Sequence, residues 1–282
     1  MEKKSLYLII TSSVLLLLLS CINEPPGTTS SSPAVSPDGK FIAYFCTPFN
    51  GDKATRGVYI IRIDGKDKKL IYPQDYGAVQ GAISWSPSGR QLLIQEGIIT
   101  LSDNYSFKEI RKNELLSAID EIWKHDVSFS WAPDGKSILY NIDDSIYVAD
   151  TLFQNSRKLP LFGKKASWTP DGESLIYLKN DEIYIADTIS YGEKRITNDG
   201  RPKNILIPSP DGTTLSYTLF DEDIYLVNID GTSPRFLTKT HRNSFSWMPD
   251  SKSVIYSKMT DGWSTFLWKI DIDGKNDMQI FK

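Results

Sequence analysis

The sequence predicts an all-β, six-bladed β-propeller of four-stranded antiparallel blades, and three observations carry that prediction. The string SPDGKFIAY at 36–44 returns as SPSGRQLLI (86–94), APDGKSILY (132–140), TPDGESLIY (169–177), SPDGTTLSY (209–217) and MPDSKSVIY (248–256). The aligned prolines Pro37, Pro87, Pro133, Pro170, Pro210 and Pro249 stand 50, 46, 37, 40 and 39 residues apart, averaging about 42, the length of one blade. Between these strings the chain alternates short β-branched and aromatic runs with turn formers, the composition of strands.

In chain order, Glu2, Lys3 and Lys4 precede an uncharged stretch from Ser5 to Ile22 with five consecutive leucines, Leu15–Leu19. The apolar stretch Leu6–Leu19 has the length of a signal-peptide core, which makes residues 1–20 a lipoprotein signal peptide, and falls short of a bilayer-spanning helix of about 20 residues. The run Leu18-Leu19-Ser20-Cys21 resembles the lipobox of bacterial lipoproteins. That resemblance implies that Cys21 is acylated and becomes the mature N-terminus, and Ile22, rather than Asp, permits sorting to an outer membrane. Residues 21–33, rich in Pro, Ser, Thr and Gly, read as a flexible tether, with the propeller over 34–282.

Within each repeat, Pro presets φ, Asp bonds local backbone and Gly closes the turn. Two places before the proline stand Trp85, Trp131, Trp168 and Trp247, expected to be structural and buried between blades. After the turn an apolar run ends in Tyr44, Tyr140, Tyr177, Tyr217 or Tyr256. Third strands follow at 58–62, 146–150, 183–187, 224–228 and 267–271, and short fourth strands such as KRIT (194–197) and RFLT (235–238). One segment departs from this pattern. Residues 113–126 place Leu115, Leu116, Ile119, Ile122 and Trp123 at helical spacing behind a capping Asn113, predicting a short helix between blades 2 and 3.

Composition narrows the function. Lys+Arg number 32 against Asp+Glu 35, a net charge of −3, which provides no basic field for nucleic acid. Two cysteines, Cys21 and Cys46, exclude a Cys-rich zinc module and a disulfide scaffold. His125 and His241 leave little material for a histidine-rich metal centre. The sequence has no GxSxG elbow, HExxH, CxxC, phosphate loop or GxGxxG. The segment DIDGKND (271–277) hints at a calcium loop but lacks the closing bidentate Glu, so a hairpin turn is the simpler reading. No catalytic residue, metal or cofactor is expected.

The SPDG turn, the preceding Trp, the aliphatic–aliphatic–Tyr strand and the later IY strand resemble the WD-like repeats of the TolB family. The resemblance covers nearly all of the mature chain and implies the propeller fold. Such propellers serve as scaffolds, peptidase gates and, in a few cases, lyases. The separate α/β domain that precedes the propeller in TolB has no room here.

In such blades the SPDG and IDG turns share one face, the turn face, and the remaining loops share the other, the loop face. The loop face collects the less repetitive residues, and loops carry function while strands hold position. Tyr76, Arg201, Lys203, Arg242 and Trp263 are the candidate binding residues, since Tyr, Arg and Trp dominate interface energetics. The resulting expectation is a monomeric, lipid-anchored, non-enzymatic propeller of the cell envelope. It would bind an envelope protein or peptide and would be held to the membrane by its N-terminal lipid. A carbohydrate or small-ligand binder using the central funnel is the alternative, and a metal-dependent lyase or hydrolase comes third.

Overall fold

A computed structural model describes residues 29–47, 55–73, 83–112, 127–219, 223–240, 244–260 and 264–280. These residues form six blades. Blade 1 comprises β1 (Thr29–Val35), β2 (Phe41–Thr47), β3 (Gly57–Arg62) and β4 (Lys69–Pro73). Blade 2 comprises β5 (Ser84–Trp85), β6 (Gln91–Ile94), β7 (Gly97–Leu101) and β8 (Phe107–Lys112). Blade 3 follows with β9 (Val127–Trp131), β10 (Ser137–Ile142), β11 (Ser145–Asp150) and β12 (Arg157–Phe162). Blade 4 contains β13 (Lys164–Trp168), β14 (Ser174–Lys179), β15 (Glu182–Asp187) and β16 (Glu193–Arg195). Blade 5 contains β17 (Lys203–Pro208), β18 (Thr214–Leu219), β19 (Asp223–Asn228) and β20 (Arg235–Lys239). Blade 6 ends the chain with β21 (Phe245–Trp247), β22 (Ser253–Met259), β23 (Thr265–Asp271) and β24 (Met278–Gln279). Each blade is an antiparallel meander with strands in sequence order. The helix expected over 113–126 lies outside the described residues.

The repeated turn is built as its residues dictate. In blade 1 the Asp38 carboxylate accepts from the Ser36 hydroxyl at 2.7 Å and the Lys40 amide at 3.1 Å, while the Ser36 hydroxyl accepts from the Phe41 amide. Thr169 with Asp171 and Ser209 with Asp211 repeat this pattern. The turns also touch one another. Each glycine lies over the proline of the preceding blade: Gly89 on Pro37, Gly135 on Pro87, Gly172 on Pro133 and Gly212 on Pro170. Gly39 on Pro249 carries the ring from blade 6 back to blade 1. Blade 6 has Ser251 at the glycine position, with φ of 58°, and its hydroxyl accepts from the Asp211 amide at 3.0 Å. Pro-Asp-Gly thus makes an interblade contact as well as reversing the chain.

The tyrosine repeat has an equally local cause. Residues opposite one another on neighbouring strands share a face, and the register sets Tyr44 against Tyr59, Tyr140 against Tyr147, Tyr177 against Tyr184 and Tyr217 against Tyr225. Their ring centroids lie 5.1 to 6.1 Å apart. The Tyr177 hydroxyl donates to Glu193 and the Tyr256 hydroxyl to Asp277, which ties the second strand to the approach of the fourth.

The core sits between blades. Trp85, Trp131 and Trp247 are buried, whereas Trp168 is half-buried. Trp85 packs with Ala34, Ala43 and Phe45 of blade 1 and donates its Nε1–H to the Ala34 carbonyl at 2.8 Å. Trp131 packs against Leu93 and Ile98 of blade 2, and Trp168 against a cluster containing Leu139 and Ile146 of blade 3. Trp247 packs with Ile224 and Leu226 of blade 5.

The propeller begins before the boundary expected at residue 34. Residues 29–33 read as tether because they are small and polar, yet they belong to β1, whose Ser30 and Ser31 are buried. Small hydroxyl side chains suit this crowded inner strand. The Ser32 amide donates to the Ser244 hydroxyl, the Val35 amide to the Ser246 hydroxyl at 3.1 Å, and the Ser257 hydroxyl to the Ser30 carbonyl at 3.0 Å. A parallel bridge joins Thr29 to Thr265 of β23. These contacts close the ring, since blade 6 takes all four of its own strands from the C-terminal segment.

Cys46 is 4% exposed and packs with Ile42, Tyr44, Ile255 and Leu267 where blades 1 and 6 meet. Its thiol is expected to resist a maleimide in the folded protein and to react fully in denaturant. Rapid modification of native Cys46, mapped by mass spectrometry, would contradict this placement.

Candidate binding face at the channel mouth

Among the inner strands, β1 lies against β5 and β21, β9 against β5 and β13, and β13 against β17, and the described parts of the loops entering them lie on the loop face. Three of these entries are pinned by buried polar groups. Between blades 3 and 4, Asn141 on β10 donates from Nδ2 to the Gly163 carbonyl at 2.7 Å and accepts at Oδ1 from the Ala166 amide at 2.8 Å. Between blades 5 and 6, the Thr240 hydroxyl donates to the Ser257 carbonyl at 3.0 Å.

The densest network lies between blades 4 and 5. Lys203, at the start of β17, has a fully buried side chain. Its ammonium donates to Asp199 at 2.6 Å, Glu182 at 3.2 Å, and the Asp181 and Arg201 carbonyls at 3.0 Å each. Glu182, also buried, accepts from the Thr197 hydroxyl and, at 2.7 Å, from the Gly200 amide. Burial alone would raise the Glu182 carboxyl, but these donors and the Lys203 charge hold it below its ordinary value. Asp199 shows the same balance: burial pulls upward, while Lys203 and the Arg201 amide pull it down. The loop through 197–203 is therefore held at both ends.

This corrects the expected role of Lys203. The residue lies in the loop region anticipated, but its charge is spent inside the protein and is not offered to a partner. A buried ammonium must find acceptors within the fold, and the backbone carbonyls and carboxylates of blade 4 supply them. Arg201, two residues earlier, is exposed, and its guanidinium carbon lies 5.0 Å from the Tyr225 ring centroid. Tyr76, Arg242 and Trp263 lie outside the described residues, as do Cys21, His125 and His241.

Other exposed groups on this face are Asp143, Asp181, Lys164 and Phe162. Phe162 is 56% exposed at the end of β12. Sequence reading passed over it because no other blade has an aromatic residue there. Period-two alternation marked it, since Leu159 and Leu161 face inward and Phe162 falls on the opposite side.

The turn face uses its own groups. Asp273 accepts from the Lys275 amide and ammonium, and Asp271 from Asn276, so the 271–277 segment is a hairpin turn in which the Asp271 and Asp273 carboxylates bond within the turn. A shallow cavity of about 390 Å³ lies beside it, lined by Asp250, Lys252, Lys269, Asp271 and Asp273. Among the described residues no three His, Cys, Asp or Glu side chains converge as a metal site, and no helix is long and apolar enough to cross a membrane.

No family model matches the sequence, and no curated protein is similar to it at the level of sequence. Solved structures are similar in fold. TolB from Acinetobacter baumannii superposes with a TM-score of 0.64 at 18% identity, covering 97% of this chain and 68% of that one. A putative TolB from Agrobacterium tumefaciens gives 0.56 at 21% identity over 79% of this chain and 87% of that one. An oligogalacturonate lyase in complex with manganese gives 0.59 at 13% identity over 88% and 91%. Six four-stranded antiparallel blades, the Pro-Asp-Gly ring and these superpositions together make the fold that of a TolB-like six-bladed β-propeller.

Proposed function

We propose that this protein is a lipid-anchored, non-enzymatic scaffold of the cell envelope that binds a protein or peptide at the loop-face mouth. The observation that carries the reading is the asymmetry of the two faces. On the turn face, repeated carboxylates cap their own turns and near-identical residues recur from blade to blade. On the loop face, buried pins hold loops of unlike sequence, which present Phe162, Lys164, Asp181 and Arg201 to solvent. Convergent, pre-ordered loops of mixed charge suit a polar peptide or protein surface. Similarity to TolB structures supports the scaffold reading. The comparable similarity to an oligogalacturonate lyase supports a second one, in which the mouth takes an acidic oligosaccharide.

The test compares charge reversals on opposite faces. In intact cells treated with a cross-linker, Arg201→Glu is expected to reduce recovery of a stoichiometric partner, and Lys136→Glu beside a turn to leave it unchanged. The opposite pattern places the site on the turn face. Turnover of an oligogalacturonide by the purified protein would establish the second reading.

A further inference from the structure

Strand β1 fixes where the N-terminal chain enters the propeller. Thr29 pairs with Thr47 and with Thr265, the strand ends that adjoin the loop face, whereas Val35 leads directly into the Ser36–Gly39 turn. The chain therefore arrives on an innermost strand, at the mouth of the loop face. Eight residue steps separate Cys21 from Thr29. However that backbone is arranged, it spans at most about 29 Å.

This length restricts the orientation of an anchored molecule. Chain segments do not thread a closed ring, so for the turn face to rest on a membrane holding Cys21, the connection would first run outward past three strand spacings, about 14 Å. It would then descend the length of a blade strand, about 20 Å. Those two legs together exceed the available span.

We propose that the loop face is held toward the bilayer and that its ligand is an extended, membrane-proximal peptide segment. The turn face is then directed to the aqueous compartment. The inference rests on acylation of Cys21 and deepens the binding reading given above. Its second part follows from the same limit. The space beneath the mouth opens to no more than about 29 Å, whereas a folded domain of about 100 residues is roughly 34 Å across. An extended segment fits, and the exposed Lys164, Arg201, Asp143 and Asp181 provide both signs of charge for its polar groups.

The experiment uses the full-length protein, made in a bacterial host with radioactive fatty acid and reconstituted into phosphatidylethanolamine–phosphatidylglycerol vesicles. Lys164→Cys on the loop face and Lys136→Cys on the turn face each carry a donor dye, and headgroup-labelled lipid is the acceptor. Native Cys46 is buried and Cys21 is consumed by the lipid, so the introduced thiol is the one labelled. Energy transfer from position 164 is expected to exceed that from 136 roughly twofold, given faces separated by at least a strand length. A Gly/Ser spacer of about 20 residues placed after Asn23, adding a span of roughly 25 Å, is expected to erase the difference. Equal transfer from both positions in fatty-acid-labelled protein overturns the orientation alone. Absence of fatty-acid label from the wild type overturns the anchor and the orientation with it. A photo-cross-linking residue at Phe162 tests the ligand in cells. Cross-links to a segment adjoining a membrane anchor support the proposal, and cross-links to a folded domain remote from one overturn its second part.

Discussion

Trp247→Ala is expected to lower the free energy of unfolding by about 4 kcal/mol, within the usual range for a buried aromatic truncated in a core. Trp247 is 5% exposed and fills the space between blades 5 and 6, against Ile224, Leu226, Val254 and Tyr256. Its indole N–H donates to the Ser216 hydroxyl at 2.8 Å, so the truncation removes a bond from blade 5 as well as opening a cavity. Rigid strands on both sides leave little scope for collapse. Trp168, which is only half-buried, is expected to cost about half as much when truncated, because less of its surface returns to water. Denaturant titrations of both variants measure this through their midpoints at unchanged slope. An unaltered midpoint for Trp247→Ala, with binding lost, would move this residue from core to site.

Lys203→Met is expected to cost about 3–5 kcal/mol, the range for removing one partner of a buried ion pair. The methionine fills much of the same volume, so the loss reports the charge. Glu182 would remain buried without its ammonium, and four donor contacts, two of them to the 197–203 loop, would be gone. The partner substitution separates this from a packing defect. Adding Glu182→Gln is expected to recover part of the loss, since an amide is far cheaper to bury than an unpaired carboxylate.

The pH dependence follows from the same network. In the wild type, Glu182 and Asp199 are held below their ordinary values of 4.5 and 3.8. Their contribution is complete above those values and is lost as pH falls through the lowered ones. In Lys203→Met the ammonium that lowers Glu182 is absent, so the deficit relative to wild type should shrink as pH falls toward 4.5. A deficit that stays constant from neutral pH to that value would show that the pair contributes by shape and not by charge.

The same residues show what could be read from the sequence. Trp85 and Trp247 were legible because an indole repeated at one offset from a turn has one place to go in stacked blades. Lys203 lies at the end of an interblade loop, but its ammonium turns inward to acceptors that the repeat does not reveal. Its acceptors Glu182 and Asp181 lie 21 and 22 residues away, and nothing in a one-dimensional pattern brings them to its ammonium. Phe162 was legible only through the alternation of a single strand, which a reading based on repeats set aside.

Sequence alone determined the blade count, the turn chemistry and the tyrosine that ends each second strand, because each rests on hydrogen bonds or register among residues near in the chain. The Ser36–Asp38–Phe41 turn closes within five residues. Tertiary structure decided the closure of the ring, the burial of Lys203, the face presenting Phe162 and the side from which β1 enters. The bond between Ser257 and Ser30 spans 227 positions. Small serines compatible with a solvated linker became an inner strand because another blade, made at the far end of the chain, supplies their partners.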